Sequence, residues 1–275
     1  MPELFEGSQA TGVGRAEVAA SWGMERVPVA AGAGDQAAGA LGVGVVKPGE
    51  ASLSLGTSGV LFVASDSFRA NPDRAVHAFC HCLPDTWHQM SVILSAASCL
   101  SWVTKLVGAK DEGTLLAEIE AADRLGDGLL FLPYLSGERT PHNDPNATGT
   151  FLGLTHGTDH AALGRAVLEG VAFAFADAQD ALLSAGTGID SISVIGGGAR
   201  SAYWGRIMAS VLNRPLTYRA GGEVGPAQGA ARLGRLAVTS EAPESFCHAP
   251  PVVFEVEPDP DLHNHYALQL ERYRE

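Results

Sequence analysis

The sequence has no long apolar run, a deficit of basic residues and few cysteines. No stretch approaches the ~18 consecutive apolar residues that suggest a membrane-spanning helix. Met1 to Ser8 are polar and acidic, so the first residues do not read as a secretory leader. Lys and Arg number 18 against 31 Asp and Glu, and the formal net charge is −13. That balance argues against nucleic acid or an anionic membrane surface as the main partner. It does not exclude one bound nucleotide, because backbone N–H groups and a metal ion can carry that charge. The four cysteines, Cys80, Cys82, Cys99 and Cys247, form no C-x-x-C pair. A cytoplasmic protein with reduced thiols is the expectation. No glycine-lysine-Ser/Thr sequence occurs, so a P-loop is absent.

What is present is apolar and glycine-rich. Hydrophobic residues make up 46% of 275, enough for a substantial core, and 33 glycines favour turns and close backbone approaches. The stretch Ser52-Leu-Ser-Leu-Gly56-Thr57-Ser58-Gly59-Val60 reads as a β-hairpin with a tight Gly-Thr-Ser-Gly turn. Clustered N–H groups and hydroxyls in such a turn can hold phosphate oxygens, and an ordinary hairpin turn is the alternative.

Upstream, Arg15–Trp22 reads as a short helix and Val27–Ala31 as a short buried strand. The turn Gly32–Gln36 leads into a small-residue helix, Ala37–Val46, ended by Lys47-Pro48-Gly49. Asp35 lies among small residues. It can reach into a cleft and accept a proton from a substrate hydroxyl, or it can cap the helix that follows. Downstream, Val76–Leu83 and Trp87–Val92 are strand-like, with Pro84-Asp85 between them, so 51–92 reads as an antiparallel meander. On such a strand Cys80 and Cys82 share one face and His81 takes the other. With His77 and His88 they match no structural zinc spacing and read as strand residues.

Helices are expected over 94–107 and 112–123, with Trp102 and Leu106 at i, i+4 in the first. A buried segment, 129–135, runs into a polar loop, 136–146. A long helix, 159–185, repeats Leu163, Val167, Val171, Ala174, Ala178 and Leu182 along one core face, with Thr158 as cap and Gly186 as terminator. Strand Ser191–Ile195 enters Gly196-Gly197-Gly198-Ala199-Arg200-Ser201 and a helix to Leu212. This loop suits a ligand lying on bare backbone, or simple strand–helix packing. A Rossmann reading is weak, since the pattern is G-x-G-x-x-S. Strand 216–218, the turn Gly221-Gly222, helix 225–237, an irregular 240–260 and a short closing helix complete the chain. The element order implies a mixed α/β fold with helices on the sheet faces.

Taken together, these motifs resemble the FGGY carbohydrate kinases over nearly the whole chain. Val27–Gly39 resembles the segment carrying that family's catalytic aspartate. Leu53–Gly59 resembles its phosphate hairpin, and Ile195–Ser201 its adenosine loop. Phe79–Pro84, Leu94–Leu100 and Phe131–His142 are similar to the members that act on D-xylulose. Gly149–Leu154 through Glu169 resembles the second family signature, with Ala162 where a polar or acidic residue is usual; this reads as a helix-surface change.

The resemblance implies an actin-like, ribonuclease H-like ATPase domain with a mixed sheet flanked by helices. Residues 1–50 would then be the end of an N-terminal sugar-binding domain and 51–275 the C-terminal nucleotide-binding domain. Most of the first domain would be missing. The implied reaction is ATP-dependent phosphorylation of D-xylulose at its terminal hydroxyl, with ribulose, gluconate or glycerol as alternative substrates. A nucleotide-binding module without kinase activity is a further alternative. Asp35 would be the base, with Gln36 beside it on the sugar. Gly56, Thr57 and Ser58 would hold the β- and γ-phosphates. Gly197, Gly198 and Ala199 would line adenine and ribose, and Ala97 and Ser101 would border the nucleotide. Mg²⁺ would arrive on the ATP phosphates, with no protein metal cage. The Glu138–His142 loop would border the cleft without an assigned role. A homodimer is compatible with the resemblance.

Overall fold

The computed structural model describes residues 2–122, 125, 128–221, 225–239 and 241–275. The chain opens with β1 (Ala10–Val13), α1 (Ala16–Ser21), β2 (Pro28–Ala30) and α2 (Asp35–Gly42). Strands β3 (Glu50–Leu55), β4 (Gly59–Ser65), β5 (His77–Cys80) and β6 (Trp87–Ile93) follow. Helices α3 (Ala97–Leu106) and α4 (Glu112–Ala122) precede two short strands, β7 (Leu130–Leu132) and β8 (Thr150–Leu152). Then come α5 (His160–Ser184), β9 (Ser191–Ile195), α6 (Ala202–Leu212), β10 (Leu216–Arg219) and α7 (Gly225–Thr239). A single turn, α8 (Pro243–Phe246), leads to β11 (Val252–Val256) and α9 (Pro260–Arg274).

Among the described residues the main sheet has the order β11-β10-β9-β3-β4-β6-β5. Strands β3, β9 and β10 run parallel, and the other pairings are antiparallel. Both faces of the sheet are covered, which is why β4 reads as a continuous apolar run rather than an alternating one. Its Leu61 and Val63 enter one core with Val103 of α3, Leu168 of α5 and Ile207 of α6. Its Val60, Phe62 and Ala64 enter a second core with Leu41 of α2 and Leu233 of α7. The period-two alternation of a strand thus feeds two separate helix layers.

Helix α2 is held to α7 by close backbone approach. A Cβ on Gly229 would lie 1.8 Å from the Ala38 carbonyl oxygen, and one on Gly42 would lie 2.0 Å from that of Gly225. Arg232 of α7 donates to the Leu41 carbonyl at 2.6 Å, satisfying an orphan acceptor at the end of α2.

Several sequence expectations are corrected. The strand at 27–31 is exposed rather than buried: β2 pairs with β1 in a small sheet separate from the main one, and its contact with α7 leaves Pro28 and Val29 open to solvent. Helix α2 stops at Gly42 and not Val46, and Gly44 turns left-handed (φ +82°) just beyond it. The meander is re-ordered: β6 sits between β4 and β5, so β5 takes the sheet edge. Strand β5 ends at Cys80, so the shared face of Cys80 and Cys82 is lost: Cys80 is exposed, while His81 and Cys82 are both buried. Helix α3 starts at Ala97 rather than Leu94, and Leu106 is exposed. The cap of α5 is Asp159, whose Oδ1 accepts the Ala162 N–H at 2.9 Å; the Thr158 hydroxyl instead accepts the Thr155 N–H. Helix α5 is buried on every side from Gly164 to Gln179, not along one stripe, because α3, α4, α6, β6 and β7 all pack on it. The irregular 240–260 segment contains β11, which extends the main sheet. Residues 123, 222 and 240, within the expected 112–123 helix, the Gly221-Gly222 turn and the irregular segment, lie outside the described residues.

Candidate functional site

A cleft of about 980 Å³ lies where the β3–β4 turn, the β9–α6 loop and helices α3 and α4 converge. Strand pairing explains the convergence. Strands β3 and β9 are parallel neighbours, so their C-terminal ends present the two loops side by side. Leu55 pairs with Gly59, which leaves Gly56, Thr57 and Ser58 as the turn. The turn is anchored from behind. Ala97 N–H donates to the Gly56 carbonyl at 2.8 Å, and Ala96 N–H donates to that of Thr57 at 2.9 Å. The Ser98 hydroxyl also donates to the Thr57 carbonyl at 2.7 Å. The carbonyls are therefore engaged on α3, while Thr57 and Ser58 are exposed at the tip with their hydroxyls and N–H groups.

The loop after β9 crosses beneath this turn. Gly196 is left-handed (φ +93°), and a Cβ there would meet the Leu55 carbonyl oxygen at 2.9 Å. A Cβ on Gly198 would lie 2.5 Å from Leu55 Cγ, so that glycine serves close packing. Gly197 is different: a Cβ there would meet nothing within 4 Å, and the residue lines the cleft. Bare backbone thus faces open space where a flat ligand could lie. On the opposite wall Ala97 begins α3 and Ser101 follows one helical turn on. A hydrogen bond from Ser101 holds the Glu112 carboxylate below its ordinary range.

The cleft brings together Gly56, Thr57, Ala97, Ser101, Gly197 and Gly198 from three distant stretches of sequence. Ser58 is on the same turn but is not part of the lining, and the Ala199 side chain lies outside the described ones. Sequence reasoning missed Glu112, Glu120 and Leu116 on α4 and Tyr203 on α6, which also line the cleft. Helix α4 was legible, but nothing in its periodicity places it beside α3. Tyr203 is braced from below, since its hydroxyl accepts from the buried Arg165, which also pairs with Glu169 at 2.6 Å. None of Glu138 to His142 lines this cleft; the loop is tied to the end of β6 through Thr140.

Asp35 lies in a second cleft, of about 760 Å³, with Gln36, Phe79, His81 and His88. Gly34 is the residue that caps α2, and Asp35 is the first helical residue. Its Oδ1 accepts the Gln36 N–H at 2.8 Å, and its side chain is exposed. Asp35 therefore serves the helix start without being its cap, and stays open to the cleft. His81 and His88 are buried, and burial pulls their pKa values down to about 3 and about 4. Both are neutral at neutral pH. His88 stacks on Phe62 with centroids 4.4 Å apart. Among the described residues no group of three or more His, Cys, Asp or Glu is placed to hold a metal ion.

The model of the C-terminal domain of the FGGY family of carbohydrate kinases matches residues 51–238. The chain belongs to the FGGY carbohydrate kinase family. It is 54% identical to the xylulose kinase of Escherichia coli K12 over 241 residues, which are 88% of this chain and 50% of that protein. It is 50% identical to the xylulose kinase of Klebsiella pneumoniae over 272 residues, 98% of this chain and 56% of that protein. The crystal structure of a xyloylose kinase from Brucella ovis superposes on all of this chain and 57% of its own, with a TM-score of 0.94 and 51% identity. The chain thus spans about half the length of the relatives it matches. The mixed sheet flanked by helices is the actin-like ATPase fold of FGGY kinases. Among the described residues no helix is long and apolar enough to cross a membrane.

Proposed function

We propose that this FGGY chain supplies the nucleotide site and the catalytic base for ATP-dependent phosphorylation of D-xylulose to D-xylulose 5-phosphate. The observation that carries the reading is the gathering of six expected nucleotide-site residues around one cleft that an exposed turn and a bare glycine both face. The similarity to xylulose kinases supports the choice of sugar.

Residues 51–275 act as the nucleotide-binding domain in this reading. Residues 1–50 close a sugar-binding domain whose remainder is not in this sequence. The Thr57 and Ser58 N–H groups and hydroxyls hold the β- and γ-phosphates of Mg-ATP, with Gly56 letting them approach. Gly197, Gly198 and Ala199 take the adenosine, bordered by Ala97 and Ser101. The substrate's Mg²⁺ neutralises charge developing on the phosphates. Asp35 accepts the proton of the terminal sugar hydroxyl as that oxygen attacks the γ-phosphorus. The new O–P bond forms while the bond from the γ-phosphorus to the bridging oxygen breaks, and ADP leaves with that electron pair. Gln36 contacts the sugar. Positioning and charge neutralisation supply most of the catalysis in such transfers.

A second reading is a nucleotide-binding chain without kinase activity. Its support is that Asp35 and the phosphate turn line two different clefts of this chain. ATP turnover with and without D-xylulose decides between them, measured on the chain alone and with the first half of the Escherichia coli relative supplied. The kinase reading expects xylulose-dependent ADP release in the paired sample, and Asp35→Asn lowers it by about 10²–10⁴-fold. Turnover insensitive to Asp35→Asn would remove the base from the mechanism. ATP-analogue binding with no turnover in either sample would favour the second reading.

A further inference from the structure

The polar loop after β7 touches neither cleft, yet it contains a buried acid. Glu138 is 2% exposed. Its Oε1 accepts two backbone N–H groups, from Leu94 at 2.9 Å and from Arg139 at 2.7 Å. Its Oε2 is buried without a partner. Backbone bonds in both directions between Glu138 and Asp144, each 2.8 Å, close the loop and fix where that carboxyl stands. Thr140, also buried, adds a second tie two residues on. Its N–H donates to the Val92 carbonyl, and its hydroxyl accepts the Val92 N–H, both at 3.0 Å.

Both ties fall on the end of β6 and the residues just beyond it. Leu94 is two residues before Ala96, and the Ala96 and Ala97 N–H groups hold the Thr57 and Gly56 carbonyls. A buried acid so costly to desolvate is a poor way to close a surface loop. It is an economical way to fix one backbone segment, because one oxygen takes two N–H groups that would otherwise be orphaned. From this geometry we infer that Glu138 is a positioning residue for the phosphate turn, acting through Leu94 and the start of α3. The inference rests on the reading of Gly56–Ser58 as a phosphate site.

The position of the tie makes its effect selective. The glycine loop that would take adenosine packs on Leu55, before the turn, and not on the Leu94–Ala97 segment. Loosening Leu94 therefore disturbs chiefly the turn that meets β- and γ-phosphates, while the Gly197–Gly198 side of the adenosine wall, which does not depend on this tie, stays in place.

The test compares two ligands on the same chain by calorimetry: a non-hydrolysable ATP analogue with Mg²⁺, and adenosine. Glu138→Ala and Glu138→Asp both withdraw the oxygen from Leu94, the second while keeping the acid. Each is expected to weaken the ATP analogue about tenfold and to leave adenosine within twofold. Glu138→Gln keeps an oxygen for the two N–H groups and is expected to retain analogue affinity. Equal losses for both ligands, or none, would overturn the inference, as would failure of the Gln variant to restore binding. Amide exchange reads the same tie without ligand. In Glu138→Asp the Ala96 and Ala97 amides exchange about tenfold faster, while those in the centre of α5 keep their rates. Unchanged exchange at Ala96 and Ala97, or equal acceleration in α5, would also overturn it. If the parent chain binds neither ligand, the nucleotide reading fails and the exchange experiment still decides whether Glu138 holds the segment.

Discussion

Gly197 and Gly198 are adjacent, yet the structure gives them different work. A methyl on Gly197 enters the cleft and meets no protein atom, while one on Gly198 strikes Leu55. Gly197→Ala is therefore expected to keep its melting temperature and to bind an ATP analogue about tenfold more weakly. Gly198→Ala is expected to lose about 1–3 kcal/mol of stability, as overpacked sites do. Thermal melts beside calorimetry on the two variants check the contrast. The sequence shows two glycines in one motif. It cannot show which of them faces open space, because that depends on Leu55, more than 140 residues away. Asp35 was legible as an acid with small neighbours, and its position at the first helical residue was not, because Gly34 and Asp35 are both acceptable there.

At the scale of elements, the α2–α7 pair decides where Asp35 stands. Helix α2 is short, and its buried residues include Ala37, Ala38, Gly39 and Ala40, so its place comes from contact with α7 rather than from its own helical propensity. Gly229→Ala would press a methyl into the Ala38 carbonyl and is expected to cost about 3 kcal/mol, an overpacking penalty at the upper end. Denaturant unfolding measures it, and a loss below about 1 kcal/mol would show that the helices separate easily. Asp159→Ala removes the cap of α5 and is expected to cost about 1 kcal/mol. Elements with a strong period or sharp punctuation were legible: the hairpin, β9, α5 and α7. Strand β11 was not, since Pro250-Pro251 precede it and its exposed valines carry no buried partner pattern in sequence. The place of β6 inside β5 depends on pairing between strands, which local sequence does not encode.

Over the whole molecule, buried titratable groups set the pH range of stability. His81 and His88 refuse protons in the folded chain until about pH 3 and 4, whereas ordinary histidines take them near 6.5. The unfolded chain binds those protons first, so stability is lost as pH falls below 6.5. Glu138 has the opposite sign. Burial raises its pKa to about 7, so the folded chain holds a proton there that the unfolded chain releases near 4.5. Its contribution is lost as pH rises through 7. Melting temperatures of the parent and Glu138→Gln between pH 5 and 8 should accordingly shift in favour of the variant as pH rises. A constant difference across that range would mean that Glu138 titrates normally.

The central claim is that the cleft between the β3–β4 turn and the β9–α6 loop binds the nucleotide. The most direct measurement is a calorimetric titration of the unmodified chain, and of Gly197→Ala, with a non-hydrolysable ATP analogue and Mg²⁺. The account predicts saturable binding at one site per chain, weakened about tenfold by the substitution with the fold intact. No binding by the unmodified chain, or binding indifferent to a methyl on Gly197, would contradict it.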